Sequence, residues 1–167
     1  RDMSDICIVK IRIADFVLEE YNDAMCRMIG YTRHEYEQLF HNNMREYFTG
    51  VYRAELEMLK NATAAAIQSG RATFTVNMRV PTRQGAVWIG GVASFTDSGH
   101  KAPTHMVAVY RDISYRIEAR ERLSQAANEK KKAAKLENQN KKLRRLIDGV
   151  PAGLGALYIV RGVPAKK

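Results

Sequence analysis

The chain has 167 residues, of which 46% are apolar, and a formal net charge of +9 at pH 7. That is enough to bury one core of about 110 residues and leave an appendage, but no apolar run reaches the ~18 residues needed to span a bilayer, and a signal peptide is not expected. The two cysteines, Cys7 and Cys26, fall in different predicted elements at no metal-ligand or disulfide-framework spacing, so a reducing cytoplasm is the expected compartment.

In chain order, residues 6–13 and 16–21 are apolar runs that predict two strands. Asn22 is placed to cap a short helix whose Met25, Met28 and Ile29 share one face, with Asp23 near the positive dipole end and Gly30 as its stop. Thr32-Arg33-His34-Glu35 has the form of a capping box and opens a second helix. A longer helix follows, with Tyr52, Leu56, Leu59, Ala66 and Ile67 on one stripe that Thr63 interrupts without breaking, and Gly70 lies just past its end.

Phe74, Val76, Met78 and Val80 alternate with polar residues over 73–80, the period of a half-buried strand. Arg83-Gln84-Gly85 turns the chain into a second run at 87–95, Asp97-Ser98-Gly99 supplies another turn, and a third run at 105–113 closes a meander. The predicted order is β-β-α-α-α-β-β-β followed by a helix, an α+β domain with five strands.

The charge is concentrated in that last helix. Residues 1–114 hold 13 basic and 13 acidic residues, whereas residues 115–147 hold 11 basic and 4 acidic. Lys130-Lys131-Lys132 is expected to be a solvated helix face, with contact to an acidic partner or nucleic acid as the other reading, and for the chain as a whole direct nucleic-acid binding is not expected. With Ala119 at heptad position a, Ala126, Ala133, Asn140 and Ile147 also fall at a, and Leu136, Leu143 and Val150 at d, while Arg122 and Glu129 spoil the earlier d positions. Leu136, Asn140, Leu143 and Ile147 therefore form a coiled-coil seam predicting a parallel homodimer, against the reading of one solvated helix packed on its own domain. Asp148-Gly149-Val150-Pro151 breaks the helix, residues 154–160 predict a short strand, and residues 162–167 are expected to be flexible.

Three motifs in order carry a resemblance. Glu20-Tyr21-Asn22-Asp23-Ala24, running on to Ile29-Gly30-Tyr31-Thr32, resembles the strand and first helix of a PAS domain. Arg79-Val80-Pro81-Thr82-Arg83-Gln84-Gly85 with Trp88 is similar to the hairpin of the common bacterial signalling PAS subclass, with Gln84 where Asp is usual. Arg111-Asp112-Ile113-Ser114 matches the Asp-Ile-Thr type of junction, with Ser in place of Thr. The resemblance covers residues 6–122. It implies a PAS fold, a five-stranded antiparallel sheet with helices packed on one face, followed by a long C-terminal helix. The expected domains are a flank at 1–5, the PAS domain at 6–114, a signalling helix at 115–148, and at 149–167 a linker and the start of a following PAS-like unit. The chain begins at Arg1 without an initiator Met, which fits a piece of a longer protein.

The resemblance names the possible chemistries, and the residues narrow them. A covalent flavin photocycle needs a reactive Cys on a middle helix, but Cys26 lies in Met25-Cys26-Arg27-Met28 on the first helix and is expected to be a small core residue. Haem needs an axial ligand, and no His lies on the long helix; His34, His41, His100 and His105 are expected to be surface or structural residues. The cofactor is thus left unknown, with haem and covalent flavin disfavoured, and no metal site is expected. With no phosphate loop, nucleophile elbow or paired His, and with Glu19-Glu20 and Glu55/Glu57 unable to face each other, an enzyme is not expected.

What remains is a pocket for a small apolar or weakly polar molecule, lined by Met25, Ile29, Phe40, Leu56, Leu59, Phe74, Val76, Met78, Ile89 and Ala93, although the same residues describe an ordinary filled core. Trp88 is expected on the outer sheet face, against a dimer mate or the N-terminal segment. The resemblance implies that Asp112 and Ser114 couple the last strand to the helix. Ser114 is expected to cap the helix, and Asp112 to pair with Arg116 or Arg79. The expected function is a cytoplasmic sensory module of a multidomain signalling protein with a histidine kinase or cyclic-dinucleotide enzyme as effector; the alternative is a ligand-free dimerisation or protein-interaction scaffold.

Overall fold

The structure, a computed structural model, describes residues 5–96 and 101–150. It divides into two compact units that meet in sequence at Glu118 and Ala119. The first holds five strands, β1 (Cys7–Arg12), β2 (Val17–Tyr21), β3 (Thr73–Thr82), β4 (Gly85–Phe95) and β5 (His105–Asp112). Between β2 and β3 come four helices, α1 (Asp23–Ile29), α2 (Arg33–Phe40), α3 (Met44–Tyr47) and α4 (Arg53–Gln68), with a 3-10 turn at Gly50–Tyr52 leading into α4. Helix α5 (Ser114–Asp148) runs from the end of the sheet into the second unit.

The sheet is antiparallel with order β2-β1-β5-β4-β3, so the last strand lies in the middle and joins the two ends of the domain. Its register sets the inner face in rows. Val9 pairs with Ala108, Ala108 with Ala93 and Ala93 with Phe74, while Cys7, Tyr110, Gly91 and Val76 form the next row. Alternation in β3 buries Phe74, Val76, Met78 and Val80 and turns Thr73, Thr75 and Asn77 outward, as the period required.

The local signals for α1 and α2 act as their chemistry dictates. The Asn22 carboxamide oxygen accepts from the Met25 N–H at 3.3 Å and the Ile8 N–H at 3.1 Å, and its nitrogen donates to the Ile6 carbonyl at 2.8 Å. One side chain thus caps α1 and holds β1. Asn22→Ala should cost about 2 kcal/mol, more than an ordinary cap, because two backbone partners besides the helix amide lose their bonds; urea unfolding measures it. Gly30 ends α1 at φ +78°, and the Thr32/Glu35 capping box starts α2.

Three expectations are corrected. A fourth helix, α3, exists where none was expected: His41 and Asn42 both adopt left-handed φ and re-aim the chain, and Asn43 caps the helix that begins at Met44. Tyr52 sits in the 3-10 turn rather than on α4, and Thr63 is part of the buried stripe, its hydroxyl bonded to the Leu59 carbonyl at 2.7 Å. The predicted turn at 97–99, the strand at 154–160 and the tail at 162–167 lie outside the described residues.

Candidate ligand cavity and signal junction

The inner sheet face and the helices enclose a cavity of about 50 Å3, room for roughly three water-sized groups. Of the residues the sequence singled out, Met25, Ile29, Leu59, Val76, Met78, Ile89 and Ala93 line it. Leu56 and Phe74 are buried in the core without lining it, and Phe40 borders a different space. The pattern did not single out the walls from β1 and β5 (Val9, Ile11, Met106, Ala108, Tyr110), nor Tyr36, Met44, Tyr47 and Phe48 from the helical side.

The helical side is an aromatic cluster. Tyr47 packs edge-on against Tyr36 and Phe40, with centroids 5.1 and 4.9 Å apart, and its hydroxyl donates to the Pro81 carbonyl. Tyr47 also borders an outer groove of about 320 Å3 walled by Tyr31, Phe40, Tyr52 and Pro81, so one ring separates the groove from the inner cavity. Burial pushes the Tyr36, Tyr47 and Tyr110 phenols well above their ordinary range, with a smaller push on each from neighbouring phenols or thiols, so at neutral pH all three are protonated donors. Burial likewise raises the Cys7 thiol to about 11, and it leans on the Met28 sulfur at 3.9 Å. No group of three or more His, Cys, Asp or Glu able to hold a metal is gathered among the described residues.

Glu55 carries a contact that the stripe analysis missed. It falls four residues before Leu59 on the buried face of α4, 5% exposed, and its carboxylate takes the Arg79 Nε at 2.9 Å and the Arg79 backbone N–H at 3.0 Å. The Arg79 guanidinium in turn lies 5.9 Å from the ring centroids of both Tyr52 and Trp88. Trp88, half-buried and opposite Arg79 in register, does not line the cavity.

The hydrogen bonds of Asp112 and Ser114 differ from expectation. Asp112 does not reach a basic side chain: among the described residues Arg79 pairs with Glu55, and no ion pair joins Asp112 to the exposed Arg116. Instead the Asp112 carboxylate accepts the Ser114 N–H at 2.8 Å, capping α5, and the freed Ser114 hydroxyl accepts the Trp88 N–H at 3.0 Å. The Ile113 N–H donates to the Trp88 carbonyl at 2.7 Å. Both backbone groups of Trp88 are therefore fastened to the start of α5. Ser114→Ala should speed amide exchange at Trp88 about fivefold, the loss of one ~1 kcal/mol hydrogen bond, with little change elsewhere.

A five-stranded antiparallel sheet in this order, with helices enclosing a cavity against one face and a long helix leaving the last strand, is the PAS fold. Solved structures that match it include PAS and light-oxygen-voltage domains of signalling proteins. A sensory box histidine kinase/response regulator from Burkholderia thailandensis is 20% identical with a TM-score of 0.56, over 77% of this chain and 92% of that one. The N-terminal domain of a diguanylate cyclase with PAS/PAC sensor from Marinobacter aquaeolei is 16% identical with a TM-score of 0.52, over 66% and 97%. An RNA-binding light-oxygen-voltage receptor is 23% identical with a TM-score of 0.56, over 76% of this chain and 35% of that one. No family model and no curated protein matches the sequence. Among the described residues no helix is long and apolar enough to cross a membrane.

Proposed function

We propose that this chain is a PAS sensory module of a signalling protein, which binds a small molecule in the inner cavity and passes the change to α5. The observation that carries this reading is the continuity at β4: Ile89 lines the cavity, and its neighbour Trp88 holds Ile113 and Ser114 at the start of α5. A ligand that reshapes the wall at Ile89 moves the backbone to which the helix is fastened. It biases the helix only to the extent that it binds one arrangement better than the other.

The output is a pair of helices. Leu136, Leu143 and Ile147 are exposed along α5 at seam spacing, with Asn140 between them as the residue type that fixes register. A parallel pairing sets Lys132 at position g opposite Glu137 at position e across that seam. The PAS neighbours from a histidine kinase and a diguanylate cyclase support an effector of one of these kinds in the same protein. A binding module fits the residues better than a catalyst, since the cavity walls carry no acid-base pair and no activated nucleophile. The small volume of the cavity favours, as the second reading, a scaffold that dimerises without ligand.

Native mass spectrometry of the purified chain tests both readings. A dimer is the expected result and a monomer overturns helix pairing; a ligand as small as the cavity admits binds too weakly to survive purification, so small neutral molecules are then added in millimolar excess, and a dimer that binds none of them selects the scaffold. Leu143→Lys with Ile147→Lys should give a monomer whose first unit remains folded.

A further inference from the structure

The cavity wall contains two hydroxyls that the fold does not bond, those of Tyr36 and Tyr110, and Tyr36 is the more enclosed of the two. Tyr36 is 1% exposed, it lines the cavity, and none of the hydrogen bonds among the described residues involves its hydroxyl. No buried side-chain oxygen or nitrogen among the described residues is both sealed off and unpartnered, so the Tyr36 oxygen borders open space, and for a residue so enclosed that space is the cavity. Tyr47, by contrast, spends its hydroxyl on Pro81. A buried hydroxyl without a partner is costly to the fold, and an acceptor brought in by a ligand relieves that cost.

The remaining walls define the rest of the ligand. Met25, Met44, Met78 and Met106 contribute adaptable thioether surface, and no lining residue carries a formal charge. A charged ligand would have to be stripped of water with nothing to compensate it, which excludes carboxylates, phosphates and ammonium groups. The volume admits about three or four non-hydrogen atoms before the methionines move.

Resting on the sensory reading above, we infer that the cavity takes a small neutral molecule with a carbonyl or ether oxygen on an otherwise apolar body, held by a hydrogen bond donated by the Tyr36 hydroxyl. So few atoms limit the affinity to the range of about 0.1–10 mM, suited to a volatile or abundant metabolite.

Three probes of nearly one shape test this on the full chain: 2-propanone, 2-methylpropene and acetate, titrated while the methyl signals of Met25, Met44, Met78 and Met106 are followed by NMR. The expected result is that 2-propanone and 2-methylpropene both shift these methyls and acetate does not. In Tyr36→Phe the 2-propanone affinity should fall about five- to tenfold while that of 2-methylpropene does not fall. The Tyr36 ring carbon bearing the hydroxyl, followed in the unsubstituted protein, should shift with 2-propanone and not with 2-methylpropene, which keeps the test independent of the variant. Acetate binding, or equal responses of both neutral probes to Tyr36→Phe, would overturn the ligand class and leave the cavity as a binding site. If no probe moves the methyls, the ligand-binding reading itself fails together with this inference.

Discussion

Gly91→Ala is expected to unfold the first unit or destabilise it by about 3 kcal/mol or more, a large fraction of the ~5–15 kcal/mol that holds a domain together. Gly91 stands in the inner row between Tyr110 on β5 and Val76 on β3. A Cβ there would lie 2.0 Å from the Val109 carbonyl oxygen and 2.6 Å from the Tyr110 Cα, both backbone atoms that move only if β4 parts from β5. That seam also positions Tyr110 on the cavity wall, so any surviving fold should have an altered cavity. Gly90→Ala is the control: its Cβ would meet the Asn77 Oδ1 at 2.9 Å and the Ile113 Cδ1 at 3.0 Å, both ends of side chains that can turn away. Urea midpoints of the two variants should differ widely. Near-native stability of Gly91→Ala would refute the β4–β5 register.

Glu55→Ala should cost about 3 kcal/mol, the second large effect. The substitution leaves the Arg79 backbone N–H on the outer side of β3 without its acceptor, and it frees the guanidinium now held at 2.9 Å. Arg79 is 42% exposed, so its charge can be rehydrated, which keeps the loss below that of a fully enclosed pair. Glu55→Gln retains an acceptor for the N–H and should lose roughly half as much. Denaturant unfolding of the two variants separates the terms; equal losses would show that the charge rather than the hydrogen bond dominates. Because Arg79 also faces Trp88, both variants should change the fluorescence of the single tryptophan.

The parts of the fold written in short-range chemistry were legible. Asn22, the Thr32/Glu35 pair and Gly30 act within a few residues of themselves, and the alternation of β3 is visible in eight residues. The cavity was legible only in part. Val9 and Ala108 meet through a pairing that spans most of the domain, and no local period reports that contact. Tyr36 lies in Arg33-His34-Glu35-Tyr36-Glu37, a stretch polar enough to pass for a surface helix, yet three aromatic neighbours enclose it. Glu55 shows the opposite failure: its spacing from Leu59 puts it on the buried face of α4, and only the distant Arg79 accounts for a carboxylate lying there. The residue types Asp112 and Ser114 showed that polar groups lie where the last strand gives way to the helix, but not that the carboxylate caps while the hydroxyl reaches across to β4.

A sheet that ends in open strands offers a template on which other chains can add, the route to aggregation and fibrils. Here the outer side of β3 gives its Arg79 N–H to Glu55, and just past the strand Arg83 gives its N–H to the Ile29 carbonyl at 2.9 Å. Around β2 the Leu18 N–H is taken by the Asn42 carbonyl at 2.8 Å, and the preceding Phe16 carbonyl accepts from Met44 at 3.0 Å. The contacts that anchor α4 to β3 and the segment before α3 to β2 therefore also keep neighbouring molecules from docking sideways. Loss of Glu55 should convert part of a soluble population into one that grows by strand addition, seen as a concentration-dependent rise in thioflavin fluorescence long before the domain as a whole unfolds.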